Sequence, residues 1–166
     1  MTKQHYLKLM SYFPQGSSRL KILNVLNSHL TRISGCCYCF LLLYLLITKD
    51  GRFLRTAAIP LFVFASVSLV RNWVNLPRPY DVLQFRPVLS YKPGKGKSFP
   101  SRHTACGFII AFAFLYINIF LGIFFLIVAF SIGLIRLVGG VHYPRDILAG
   151  SIYSFIAAVV GFWIIP

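Results

Sequence analysis

The chain has 166 residues, of which 57% are apolar and only 12% charged, and its net charge is +14. Soluble domains carry about a quarter charged residues, so this composition excludes an ordinary soluble domain and indicates a membrane protein. The cations are divided among loops between apolar runs rather than gathered on one polar face, which argues against a nucleic-acid-binding protein.

The first thirty residues are polar and basic and contain no long apolar run. Within them, four leucines recur at helical spacing with polar residues between them: Leu20, Leu23, Leu26 and Leu30. This pattern predicts an amphipathic helix that lies in the membrane interface. Such a helix would be a simple anchor, or a lid or guide for a lipid.

Five runs with little or no charge follow, and each predicts a membrane-spanning helix. The predicted spans cover about residues 31–48, 54–73, 102–117, 119–137 and 144–165. The third and fourth spans come from one uncharged stretch, Thr104 to Ile135, which has 32 residues. As a single helix it would be about 48 Å long, which is too long for one span and sufficient for two.

Asn118 lies near the middle of that stretch and is the expected turn of a helical hairpin. A turn there brings the polar residues at both ends of the stretch to one membrane face. The predicted fold is an all-α integral membrane protein with about five transmembrane helices and an N-terminal interfacial helix. At this length we expect one domain, residues 1–166, with an interfacial segment at 1–30 and a helical core at 53–160.

Two arginines, Arg71 and Arg78, follow the apolar part of the second span and lie seven residues apart. On a continuing helix they share nearly one face, so they either anchor the span among lipid headgroups or bind an anion together. The following loop, residues 80–99, contains four cations together with glycines and prolines. A loop of this length is typically functional; it could close over an anion or bind headgroups.

The third span begins with Ser101, Arg102 and His103. A helix N-terminus has free N–H groups and a partial positive charge, which suit an anion. The Ser101 hydroxyl and the Arg102 guanidinium could add hydrogen bonds to that anion. His103 would then stand beside it, where an imidazole can act as a nucleophile towards phosphorus.

His142 and Asp146 are four residues apart at the predicted start of the fifth span, and Arg136 precedes His142 by six residues. At that spacing the His142 and Asp146 side chains share a helix face. The carboxylate would fix the imidazole tautomer and favour its cationic form. Such a histidine can protonate a leaving oxygen and then activate water. Arg136 is a charge near the end of a span, where charges are costly and usually functional.

Two histidines and one aspartate could instead bind zinc. The four arginines around them argue against this interpretation, because they would repel a dication, whereas they suit a phosphate dianion. We therefore expect an anion site without a metal or another cofactor.

The three motifs together resemble the signature of the type 2 phosphatidic acid phosphatase superfamily, which reads K-x6-R-P, P-S-G-H and S-R-x5-H-x3-D. The resemblance covers about residues 53–160. It implies an integral-membrane phosphatase that needs no metal. The short N-terminal region and the few spans are most similar to small bacterial enzymes that act on undecaprenyl diphosphate or phosphatidylglycerophosphate.

The resemblance also implies a role for each matching residue. His103 would be the nucleophile, His142 the acid and base, and Asp146 the carboxylate that orients His142. The remaining matches would hold phosphate oxygens: Arg71, Arg78, Ser101 and Arg136.

Three positions depart from the superfamily signature. Arg71 stands in place of a lysine, Ile135 in place of a serine, and Arg102 in place of a glycine. The change at Arg102 is the largest, and this side chain could clamp the phosphate or narrow the pocket.

These observations predict a membrane phosphatase that hydrolyses a lipid phosphate or diphosphate through a phosphohistidine. Two alternatives remain: a phosphotransferase that passes the phosphate to another lipid, and a non-catalytic binder or transporter of anionic lipids. The expected partners are a lipid phosphate and the bilayer, with no nucleic acid, and the sequence leaves the oligomeric state open.

The charge distribution and the resemblance disagree about the face that bears the site. With five spans, 14 of the 17 cations share the face of the site, and the positive-inside rule would place that face in the cytoplasm. The resemblance implies the extracytoplasmic face of the cell membrane, and this is the face that we expect.

Overall fold

The computed structural model describes residues 1–165, so Pro166, the last residue of the predicted domain, lies outside it. In the described part the chain forms seven α-helices and no strand. The helices are α1 (Lys3–Ser11), α2 (Ser18–Ile47), α3 (Phe53–Val74), α4 (Pro79–Val82), α5 (Arg102–Ile117), α6 (Ile119–Val138) and α7 (Pro144–Ala158), and α7 continues as a π-helical segment, Val159–Ile164.

Four segments of the described chain have the length and apolar composition to cross a membrane: Ser18–Ile47, Phe53–Val82, Ile119–Val138 and Pro144–Ile164. The shorter apolar helix α5 is the fifth. Their outward-facing side chains are apolar and strongly exposed, for example Trp73 at 87% and Phe120 at 80%. Such an extensive apolar surface needs a lipid covering. The predicted all-α membrane fold is confirmed.

The short helix α5 lies at the centre of the bundle, where it packs against α2, α3, α6 and α7. Its 16 residues reach about 24 Å, less than the hydrocarbon thickness of about 30 Å. Small buried residues such as Ala105 and Gly107 allow its neighbours to approach closely. A Cβ atom on Gly150 of α7 would lie 2.8 Å from the carbonyl oxygen of Ser101.

The predicted hairpin turn at Asn118 is confirmed. Asn118 ends α5 and begins α6, and its side-chain oxygen accepts hydrogen bonds from the N–H groups of Phe120 (3.0 Å) and Leu121 (3.1 Å). Asparagine is a favoured residue at this capping position. The start of α5 and the end of α6 therefore lie at the same end of the bundle.

The N-terminal segment is helical, as predicted, but its helix boundaries differ from the prediction. The leucine-patterned helix continues without a break into the first span as α2, and Ser17 caps it by accepting a hydrogen bond from the Leu20 N–H (3.2 Å). Leu23 packs in a cluster with Tyr80 and Leu89. This part of α2 thus covers other elements of the protein, and the separate helix α1 precedes it.

Candidate active site

The eight candidate residues lie where α3 ends, α5 begins, α6 ends and α7 begins. The hairpin of α5 and α6 brings two of the three motifs to this end, and the packing of α3 and α7 on α5 adds the rest. The residues are Arg71 in the last turn of α3, Arg78 before α4, Ser101, Arg102 and His103 at the start of α5, Arg136 in the last turn of α6, His142 before α7, and Asp146 in its first turn.

His142 and Asp146 form a pair that is closed to solvent on all sides, with both side chains 0% exposed. Asp146 Oδ2 lies 3.3 Å from His142 Nδ1. The same oxygen accepts hydrogen bonds from the Ser98 hydroxyl (2.5 Å) and the Tyr143 N–H (3.0 Å). With Nδ1 facing the carboxylate, the other ring nitrogen, Nε2, has no partner among residues 1–165.

Burial lowers the pKa of the His142 imidazole to about 4, although the hydrogen bond with Asp146 acts in the opposite direction. The positive charges of Arg136 and Arg78 lower this pKa further. Asp146 favours the cationic form, as expected, but burial and the two arginines outweigh its effect on the pKa. The sequence shows the carboxylate but not the complete burial of the ring beside two cations, which favours the neutral form.

Ser101 connects the start of α5, which carries His103, to the first turn of α7, which carries Asp146. It is fully buried at the N-terminus of α5, and its N–H donates a hydrogen bond to the main-chain carbonyl of Asp146 over 2.9 Å. Its hydroxyl oxygen accepts a hydrogen bond from the Thr104 hydroxyl (2.9 Å), which leaves the Ser101 proton for another acceptor. This arrangement fixes the position of His103, two residues on, relative to the His142–Asp146 pair.

Three arginines are each held by one or two hydrogen bonds and keep most of their five N–H donors available. Arg71 donates to the carbonyl of Pro100 (2.9 Å), Arg78 to the carbonyls of Gly96 (3.2 Å) and Val141 (3.3 Å), and Arg136 to Asn27 Oδ1 (2.9 Å). The buried Nε of Arg136 has no partner in the described chain. Fixed guanidinium groups with free donors can bind an anion with oxygen atoms in several directions.

Arg102 is placed differently from these three arginines. Its side chain is exposed, and its guanidinium lies over the ring of Phe64, 5.5 Å from the ring centre. Arg102 and His103 both line an apolar cavity of about 610 Å³ between α2, α3 and α5. The cavity lies beside the site. Most of the side chains that line it are apolar and belong to the membrane-spanning helices α2, α3 and α5.

The long loop after α4 is tied to the rest of the protein at several points. Ser98 donates its N–H to the carbonyl of Leu76 (2.9 Å), and the Tyr80 hydroxyl donates to the carbonyl of Lys92 (3.1 Å). Leu89 is only 2% exposed and packs so closely on Gly139 that a Cβ there would lie 2.3 Å from it. The loop therefore packs against the site, and its Ser98 hydroxyl donates a hydrogen bond to the carboxylate of Asp146.

In the described residues, no three side chains of His, Cys, Asp or Glu are arranged as a metal-ion site. The sequence model of the PAP2 superfamily, the type 2 phosphatidic acid phosphatases, matches residues 52–166, and this range includes all the candidate residues. The chain belongs to the PAP2 superfamily.

Two individual proteins resemble this PAP2 chain. The bacitracin transport permease protein BcrC of Bacillus licheniformis is 39% identical over 69 residues, which are 42% of this chain and 34% of that protein, so the matched part spans about a third of BcrC. The crystal structure of Aquifex aeolicus LpxE aligns with a TM-score of 0.74 at 22% identity, over 96% of this chain and 93% of that one. At this identity the likeness to LpxE concerns the fold.

Four residues that contact the candidate site of the PAP2 chain have no role in the sequence motifs: Tyr6, Asn27, Ser98 and Thr104. Ser98 and Thr104 flank the Pro-Ser-Arg-His motif, so their proximity could have indicated them. Tyr6 and Asn27 reach the site from α1 and α2. Asn27 stands out in the sequence only as a polar residue between the regularly spaced leucines of α2. No sequence pattern indicates that Tyr6 contacts the site.

Proposed function

We propose that this PAP2 protein hydrolyses a lipid phosphate or diphosphate through a phosphohistidine on His103, without a metal ion. The observation that carries the proposal is the unpartnered Nε2 of His142, a buried ring held by Asp146. This nitrogen belongs to the same cluster as His103 and arginines that have free N–H donors. Such a set suits phosphoryl transfer, which depends mainly on positioning and charge stabilisation.

In the first step, Arg71, Arg78, Arg136 and Ser101 would hold the oxygens of the transferred phosphate. A ring nitrogen of His103 attacks phosphorus while the bond from phosphorus to the lipid oxygen breaks. His142 Nε2 donates a proton to that leaving oxygen. A phosphate dianion among the arginines would raise the pKa of His142, so the histidine gains its proton when the substrate binds.

In the second step, water attacks the phosphorus of the phosphohistidine. The now neutral His142 accepts a proton from this water, and the phosphorus–nitrogen bond breaks. Inorganic phosphate leaves and His103 is restored. Asp146 acts through His142 by holding Nδ1, so that Nε2 is the nitrogen that exchanges protons with the reacting groups.

The lipid tail would occupy the apolar cavity beside His103 and reach it sideways from the bilayer. We propose that the site faces the extracytoplasmic side of the cell membrane, against the positive-inside distribution of the cations. A single cysteine placed in loop 80–99 of a cysteine-free variant tests this orientation. Labelling by an impermeant reagent in intact cells supports it, and labelling only after lysis contradicts it.

The activity is tested by phosphate release in detergent with EDTA present. Four substrates cover the lipid classes: undecaprenyl diphosphate, phosphatidylglycerophosphate, phosphatidate and a lipid A phosphate. We expect release from at least one of them, and complete loss in His103→Asn and in His142→Asn, with both variants still folded, as shown by a cooperative unfolding transition above the assay temperature. Full activity in either variant contradicts the mechanism. Label transferred to an acceptor lipid instead of water indicates a phosphotransferase, and lipid binding unaffected by both changes indicates a binder.

A further inference from the structure

Arg102 carries a positive charge that the rest of the described chain does not neutralise. It forms neither a hydrogen bond nor an ion pair with residues 1–165, and its guanidinium is supported by the Phe64 ring. A guanidinium stacked on an aromatic face keeps its N–H groups pointing outwards in its own plane. The Phe64 ring therefore supports one face of the Arg102 guanidinium. The N–H groups along the edges of the guanidinium remain able to bind an anion.

The cavity next to Arg102 has a polar end and an apolar body. Arg102 and His103 form the polar end, and the body is lined by apolar side chains of three helices, including Leu42 on α2, Leu61 on α3 and Ile110 on α5. From His103 to Ile110 the cavity follows α5 for about 10 Å. This shape and lining fit the first part of a hydrocarbon chain whose charged end points at His103.

The cavity distinguishes Arg102 from the other three arginines of the site. Arg102 lines it together with His103, whereas Arg71, Arg78 and Arg136 are not among its lining residues. Arg102 is therefore the arginine that a group between the reacting phosphate and the hydrocarbon would meet. In a lipid diphosphate, the terminal phosphate comes first, the inner phosphate second, and the hydrocarbon third. A lipid monophosphate has only an ester oxygen in the middle position and would leave Arg102 without a partner.

We propose that Arg102 is a specificity-determining residue that binds the inner phosphate of a lipid diphosphate, so that the protein prefers diphosphates to monophosphates. The assignment rests on the proposed function. When His103 attacks the terminal phosphorus, the bond to the bridging oxygen breaks and a lipid monophosphate leaves. The fixed cation of Arg102 would stabilise the negative charge that develops on this oxygen before His142 protonates it.

The test measures binding separately from the reaction. The probes are two non-hydrolysable analogues with the same tail, farnesyl methylenediphosphonate and farnesyl phosphonate, titrated against the full chain in detergent. A hydrogen bond to a charged group is about twice as strong as one between neutral groups. We therefore expect the wild type to bind the diphosphonate at least about tenfold more tightly than the phosphonate, and Arg102→Gln to lose that preference by weakening only diphosphonate binding.

Arg86→Gln is the matched control, because Arg86 is an exposed cation on the loop after α4 and does not line the cavity. This variant makes the same change in net charge and is expected to keep the preference. An equal affinity of the wild type for both analogues, or an unchanged preference in Arg102→Gln, overturns the assignment. The failure of the proposed function gives a different result: the wild type then shows the preference but releases no phosphate from farnesyl diphosphate.

Discussion

The hydroxyl of Tyr6 donates a hydrogen bond to the main-chain carbonyl of His142 over 3.0 Å. Tyr6 is fully buried and its ring stacks on Phe85, with 5.1 Å between ring centres. Burial raises the pKa of the Tyr6 hydroxyl, which keeps the donor protonated. Helix α1 is therefore attached to the backbone of the residue whose imidazole we assign to proton transfer.

Tyr6→Phe removes this hydrogen bond and keeps the ring. A buried carbonyl left without its donor costs about 1–3 kcal/mol, and the loop that holds His142 should become less well fixed. We expect kcat to fall by about tenfold, which corresponds to about 1.4 kcal/mol, with KM nearly unchanged because the tail cavity is not altered. Steady-state kinetics in detergent measure both constants. Tyr12→Phe is the control, since Tyr12 is 56% exposed, and equal kcat values for both variants would contradict a positioning role.

Asp146→Asn keeps the shape of the side chain but removes its charge. We expect kcat to fall by roughly 10²–10⁴, as for other carboxylates that orient a catalytic histidine. Ser98→Ala leaves the charge and removes one hydrogen bond to the carboxylate, so we expect a smaller loss of about tenfold. Ser151→Ala is the control, because Ser151 bonds only to the carbonyl of Leu148 on its own helix. Wild-type kcat in Asp146→Asn would remove Asp146 from the mechanism.

Much of this arrangement follows from local sequence, and the remainder depends on contacts between distant segments. The uncharged stretch with Asn118 in its middle predicts the hairpin, because length and capping chemistry are local properties. The boundaries of α2 and the contact of Tyr6 with His142 depend on packing across the fold, for which one sequence carries no periodic signal. The pKa of His142 also required the structure, since the motif contains its carboxylate but does not reveal how deeply the ring is buried.

Gly150→Ala should disturb the site even though Gly150 is not one of the candidate residues, because α7 packs closely on α5 at this position. A Cβ atom at this position would meet the main-chain oxygen of Ser101 at 2.8 Å and the nitrogen of Ala105 at 3.3 Å. These are backbone atoms of α5, so α5 and α7 would have to separate. We expect a lower unfolding temperature and a loss of activity, measured on the same detergent preparation. Gly51→Ala has no atom within 4 Å of the new Cβ and should change neither quantity; equal behaviour of the two variants would contradict the close packing.

The lowered pKa of His142 predicts a dependence of stability on pH. Between about pH 4, the pKa in the folded protein, and pH 6.5, its ordinary value, the unfolded chain binds a proton at this histidine and the folded protein does not. The free energy of unfolding therefore gains a component that rises with pH through this window and is complete above pH 6.5. The sign follows from burial beside Arg136 and Arg78, which outweighs the opposite effect of Asp146.

Thermal unfolding in detergent, measured at several pH values between 4.5 and 7, tests this dependence. We expect the unfolding temperature of the wild type to rise with pH, and His142→Gln to show a smaller rise because glutamine does not titrate. The comparison is between the slopes of unfolding temperature against pH. The variant loses stability because Asp146 no longer has its partner, but this loss in itself does not enter the comparison of slopes. An equal slope in both proteins would mean that His142 keeps an ordinary pKa in the fold. The histidine would then already carry a proton in about half of the molecules at pH 6.5, before the substrate's phosphate is bound.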